Sequence, residues 1–124
     1  MEAPDLRSSP RVLLVDRSPE SREILRLLLE RRGATTIEAE HPEDALRIAD
    51  DFRPDLIVLD AESDVTPTGE PTNDLREAAH LNDTPIVILG TLRHSRGLPA
   101  GQIMPKPYHY GPLIRTIDGL LAAS

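Results

Sequence analysis

Pro54-Asp55-Leu56-Ile57-Val58-Leu59-Asp60 sets four uninterrupted apolar residues, Leu56 to Leu59, directly before a carboxylate. A run this short, containing β-branched residues and following a proline, predicts a strand buried on both faces, with Asp60 at its carboxyl end. In open parallel sheets, ligands and chemistry gather outside the carboxyl ends of the strands. Asp60 is therefore the first candidate for a reactive group.

Two runs of the same kind flank it. Val12-Leu13-Leu14-Val15 lies within a predicted strand Arg11 to Val15 and ends at Asp16, and Ile86-Val87-Ile88-Leu89 follows Pro85. Ala34 to Ala39, with Thr35, Thr36 and Ile37, predicts a further strand, and Gln102 to Met104 a short last one. Helical patterns lie between them. Ser18-Pro19-Glu20 combines an N-cap, a proline at the first helical position and an acid in the first turn. Ile24, Leu25, Leu28 and Leu29 then share one face, and Gly33 supplies the stop. His41-Pro42-Glu43-Asp44 opens a second helix with Ala45, Leu46, Ile48, Ala49 and Phe52 inward. Leu75, Ala78 and Ala79 predict a short third helix. Gly111-Pro112 starts a last one carrying Leu113, Ile114, Ile117, Leu120 and Leu121. Pro67, Gly69 and Pro71 make 61–72 a loop. Strands alternating with helices of crossover length predict an α/β protein, a three-layer α/β/α sandwich.

Composition narrows the function. The 124 residues suit one domain, and one Phe, two Tyr and no Trp require an aliphatic core. A net charge of −7, a pI near 5.0 and the lack of a basic run argue against a nucleic-acid partner. Without cysteine there are neither disulfides nor thiolate metal sites. Residues 1–10 have no apolar core of a secretory signal and read as a flexible lead-in; no apolar run approaches a membrane span. A cytoplasmic domain is the expectation. His41, His80, His94 and His109 have no ligand spacing, and Glu38, Glu40, Asp50 and Asp51 read as solvated acids.

Taken together, Val12-Leu13-Leu14-Val15-Asp16, Pro54 to Asp60, Pro85 to Leu89 and Lys106-Pro107-Tyr108 resemble the receiver domains of two-component response regulators. The resemblance covers about residues 11–122. It implies a flavodoxin-like fold, with five parallel strands in the order 2-1-3-4-5. It also implies signal transduction by phosphorelay: a histidine kinase or phosphotransfer protein donates a phosphoryl group to an aspartate, which makes the domain a phosphoprotein and not itself an enzyme. The acceptor falls on Asp60. The family binds Mg2+ through an acidic pair after the first strand, the acceptor and a backbone carbonyl; a lysine and a Ser or Thr hydroxyl hold phosphoryl oxygens. The physical need is general, because a carboxylate attacks an anionic phosphoryl group poorly unless a cation neutralises the developing charge.

Carried over by position, Asp16 matches the first acid of the pair and Lys106 the lysine. Arg17 stands where the second acid belongs, a reversal of charge. Gly90 occupies the hydroxyl position, and Thr91 follows one residue late, as a displaced switch hydroxyl. Ile103 replaces the family's switch aromatic. The segment from Thr91 to Pro105 is short, so the resemblance implies a shortened fourth helix, between the fourth and fifth strands. Two readings of Arg17 stay open. Its guanidinium takes the place of the metal, pairing with Asp16 and Asp60; or it points away, and Glu62 joins Asp16 and Asp60 as a magnesium ligand. Two functions follow: a phosphorylatable receiver with an altered metal and switch site, or a degenerate receiver acting as a phosphorylation-independent protein–protein interaction module. Should Ser124 end the protein, output would run through protein contacts.

Rival α/β families fail on the same residues. Asp16-Arg17-Ser18-Pro19-Glu20-Ser21 has no glycine for a dinucleotide turn and no Thr/Gly-rich loop for a flavin phosphate, and the chain has no G-x-S-x-G elbow. A small-molecule cofactor is not expected.

Overall fold

A computed structural model describes residues 9–63, 74–90, 102–104 and 109–123. Five strands, β1 (Arg11–Val15), β2 (Thr35–Ala39), β3 (Leu56–Asp60), β4 (Ile86–Leu89) and β5 (Gln102–Met104), form one parallel sheet of order β2-β1-β3-β4-β5. Among the described residues four α-helices accompany them: α1 (Pro19–Arg31), α2 (Pro42–Phe52), α3 (Asp74–Leu81) and α4 (Tyr110–Ala123). This is the flavodoxin-like order expected from the sequence. The predicted shortened helix between β4 and β5 lies outside the described residues.

Side-chain alternation divides the core in two. Val12, Leu14, Leu56, Val58, Val87 and Leu89 face α1 and α4, where they meet Leu25, Leu29, Leu113 and Ile117. Leu13, Val15, Ile57, Leu59, Ile86 and Ile88 face α2 and α3, against Ala45, Leu75 and Ala79. Every residue of β3 and β4 is buried, as the uninterrupted apolar runs require. The edge strand β2 buries only Ala39 fully.

Local chemistry sets the helix ends. The Ser18 hydroxyl accepts the Ser21 N–H at 3.2 Å, and Pro19 opens α1. Gly33, at φ +90°, turns the chain into β2, a conformation open to glycine without strain. Arg53 ends α2 in the left-handed region at φ 52°. At the amino edge of the sheet, Arg11 N–H donates to Asp55 Oδ2 at 2.8 Å, and Asp55 N–H donates to the Arg11 carbonyl at 2.7 Å. The Arg11 guanidinium lies 5.7 Å from the Phe52 ring centroid. These contacts tie the start of β1 to the start of β3.

Three expectations need correction. Ile24 is 42% exposed, while Leu25 and Leu29 are buried: one helix laid on a sheet covers a narrower stripe than the four-residue face assigned to it. The second strand begins at Thr35, because the Ala34 N–H is still committed to the Leu29 carbonyl of the α1 terminus. Glu38 is not simply solvated; it is ion-paired with Arg22 and Arg26 of α1. Ser9 and Pro10 are tied to the sheet, through Ser9 Oγ to the Gly33 carbonyl at 2.9 Å and Thr35 N–H to the Pro10 carbonyl at 2.8 Å. Among the described residues, no helix is long and apolar enough to cross a membrane.

Candidate functional site

Strand order places the site. β1 and β3 are central neighbours, paired Val12 to Leu56 through Val15 to Leu59, and the chain crosses to opposite sides of the sheet from them. That is the switch point at which open α/β sheets bind ligands. One residue beyond the last pair come Asp16 and Asp60, at the carboxyl ends of the two strands. Both carry the alternation of the α1/α4 face. Asp16 is 7% exposed and Asp60 6%, so two carboxylates are buried on adjacent strand ends.

Buried carboxylates require partners. Asp16 Oδ1 accepts the Ser18 N–H at 2.8 Å, which folds the turn into the N-cap of α1. Its own N–H donates to the Ala39 carbonyl at 3.1 Å, and its carbonyl accepts from Arg22 Nη1 at 2.6 Å. Asp60 pairs in register with Leu89 of β4 and leads into a 3-10 turn, Ala61–Ser63, in which Ala61 is fully buried. The buried alanine fixes where the chain departs from β3.

The remaining candidates are distributed around this pair. Arg17 is exposed and follows Asp16 directly. Glu62 is exposed in the turn after Asp60. Among the described residues no three His, Cys, Asp or Glu side chains come together as a metal-holding group. The turn after Asp60 buries Ala61 in the α2/α3 core and leaves the next side chain outward. The two buried carboxylates remain a fitting donor set, since magnesium commonly uses one or two carboxylates and completes its shell with water. Gly90, buried, stands one position past Leu89 at the end of β4. Thr91 and Lys106 lie outside the described residues. Sequence reasoning did not single out Arg22, whose role emerges only when α1 and β2 are seen to flank the same turn. The buried Arg76 of α3 was also missed; nothing in its sequence neighbourhood marks it.

No protein-family model matches the chain. Protein PilH of Pseudomonas aeruginosa is 26% identical over 118 residues, which cover 90% of this chain and 98% of that protein. Transcriptional regulatory protein YdfI of Bacillus subtilis is 37% identical over 83 residues, 65% of this chain but only 38% of the relative's length. Among solved structures, the signal receiver domain of a signal transduction histidine kinase from Syntrophus aciditrophicus superposes with a TM-score of 0.78. It is 25% identical and matches across 93% of this chain and 92% of that one. In fold, and along nearly its whole length, the chain is similar to response-regulator receiver domains.

Asp60 closes β3 at the central switch point of this fold. Arg17 lies on the β1–α1 turn, and Gly90 follows the end of β4.

Proposed function

We propose that the domain is the receiver of a two-component phosphorelay, acting in the cytoplasm, with Asp60 as phosphoryl acceptor. The observation that carries this is the pair of buried carboxylates, Asp16 and Asp60, at the carboxyl ends of adjacent central strands. The donor is a phosphohistidine on a histidine kinase or phosphotransfer protein. A carboxylate oxygen of Asp60 attacks phosphorus, forming a P–O bond as the P–N bond breaks, and the departing imidazole nitrogen keeps the electron pair. The domain is the substrate of this transfer and not an enzyme.

Asp16 and Asp60 are the residues that would hold Mg2+, which when bound supplies neutralising charge to the phosphoryl oxygens. Lys106 supplies a further cationic contact to those oxygens, and Thr91 is the hydroxyl nearest in sequence to the position that Gly90 leaves bare. Arg17 weakens the metal by placing a positive charge on the metal-binding turn.

A second reading rests on that charge reversal and on Gly90: a receiver that signals as an interaction module in one state, without phosphorylation. Incubation with acetyl phosphate and magnesium, followed by intact-mass measurement, separates the two. The phosphorelay reading expects a single adduct that disappears in Asp60→Asn. The absence of any adduct in wild type, with one appearing in Arg17→Asp, would establish the interaction module instead.

A further inference from the structure

Arg22 occupies the first turn of α1 with a side chain only 17% exposed, and its guanidinium faces two ways. Nη1 donates to the Asp16 carbonyl at 2.6 Å, and Nε donates to Glu38 Oε1 at 3.1 Å. Glu38 belongs to β2, the residue before Ala39, whose carbonyl receives the Asp16 N–H at 3.1 Å. The backbone of Asp16 is therefore held on both sides by β2, directly through Ala39 and indirectly through Arg22 on Glu38. Its carboxylate is held by the Ser18 N–H at 2.8 Å. The anchor is itself braced: Arg26 Nε lies 3.5 Å from Glu38 Oε2, and Arg26 Nη1 3.5 Å from Glu30 Oε1. Thr36 Oγ1 of β2 donates to Glu30 Oε2 at 3.1 Å.

We propose that Arg22 is the positioning residue of the acidic site: anchored on Glu38, it fixes the turn at Asp16 and so aims the Asp16 carboxylate beside Asp60. A charge-assisted bond to a carbonyl is stronger than a neutral one, and the planar fork of arginine reaches two acceptors at fixed geometry, which an ammonium does not. Edge strand β2 is thereby coupled to the site, although it contributes no side chain to it. The meaning of this positioning for phosphoryl chemistry rests on the assignment of Asp60 as acceptor; the coupling itself does not.

Amide hydrogen exchange and labelling by acetyl phosphate with magnesium, on the full chain, test both parts. In Arg22→Ala, the Ser18 and Asp16 amides exchange about tenfold faster, while Leu13 and Ile37 keep their protection. Arg22→Lys restores part of the protection, and Glu38→Gln loses part of it. Labelling at Asp60 slows about tenfold in Arg22→Ala and recovers in step with the lysine variant. Unchanged protection at Ser18, or an equal rise across β1 and β2, overturns the proposal by showing no latch or only a general stabilising contact. Faster exchange with undiminished labelling overturns it as well. If wild type takes no label, the acceptor reading falls, and the exchange pattern alone decides whether Arg22 fixes the turn.

Discussion

At the scale of single residues, burial separates the groups that define the site from those that surround it. Asp16 and Asp60 are buried at adjacent strand ends, so each depends on its partners, and the Ser18 N–H is one of those on Asp16. Ser18 serves twice, through its N–H and through the hydroxyl that caps α1. Ser18→Ala keeps the first role and loses the second, with an expected cost of about 1 kcal/mol in urea unfolding. Leu59 is fully buried under α2 and α3, one residue before Asp60. Leu59→Ala is expected to cost about 2–5 kcal/mol, measured the same way, by leaving a cavity against the strand end. The carboxylates were legible in the sequence because an apolar run ends abruptly at each. Arg22 was not: an arginine in an amphipathic helix reads as solvent-facing until the fold places β2 across from it.

At the scale of elements, the strands were the most legible parts, since runs such as Ile86-Val87-Ile88-Leu89 have no other use than a strand covered on both faces. Helix faces were less so. The stripe of α1 includes Ile24 by spacing alone, yet the narrow contact with the sheet leaves it 42% exposed. Helix ends followed their chemistry where glycine or proline wrote it, at Pro19 and Gly33. They did not at Arg53, where an ordinary residue takes φ 52°. Arg53→Gly is therefore expected to stabilise the domain by up to about 1 kcal/mol, seen as a raised melting temperature. A fall in stability would mean that the Arg53 side chain contributes more than its backbone conformation costs.

At the scale of the whole molecule, the order β2-β1-β3-β4-β5 brings residues from distant parts of the chain to one edge, and sequence alone could not display that placement without the family resemblance. The fold also joins its first and last helices: Arg32, after α1, is paired with Asp118 of α4, with Nε to Oδ1 at 3.2 Å. Both side chains are more than a third exposed, so Asp118→Asn is expected to cost less than about 1 kcal/mol in denaturant unfolding, and less still in high salt. The fold places Asp60 at the carboxyl edge of the sheet, and the chemistry proposed for that residue can be located directly. After treatment with acetyl phosphate and magnesium, borohydride reduction converts an aspartyl phosphate to homoserine, which peptide sequencing by mass spectrometry assigns to a position. Homoserine at position 60 and nowhere else is the predicted result. Homoserine at another aspartate, or none at any position in wild type, would contradict the assignment of Asp60 as acceptor.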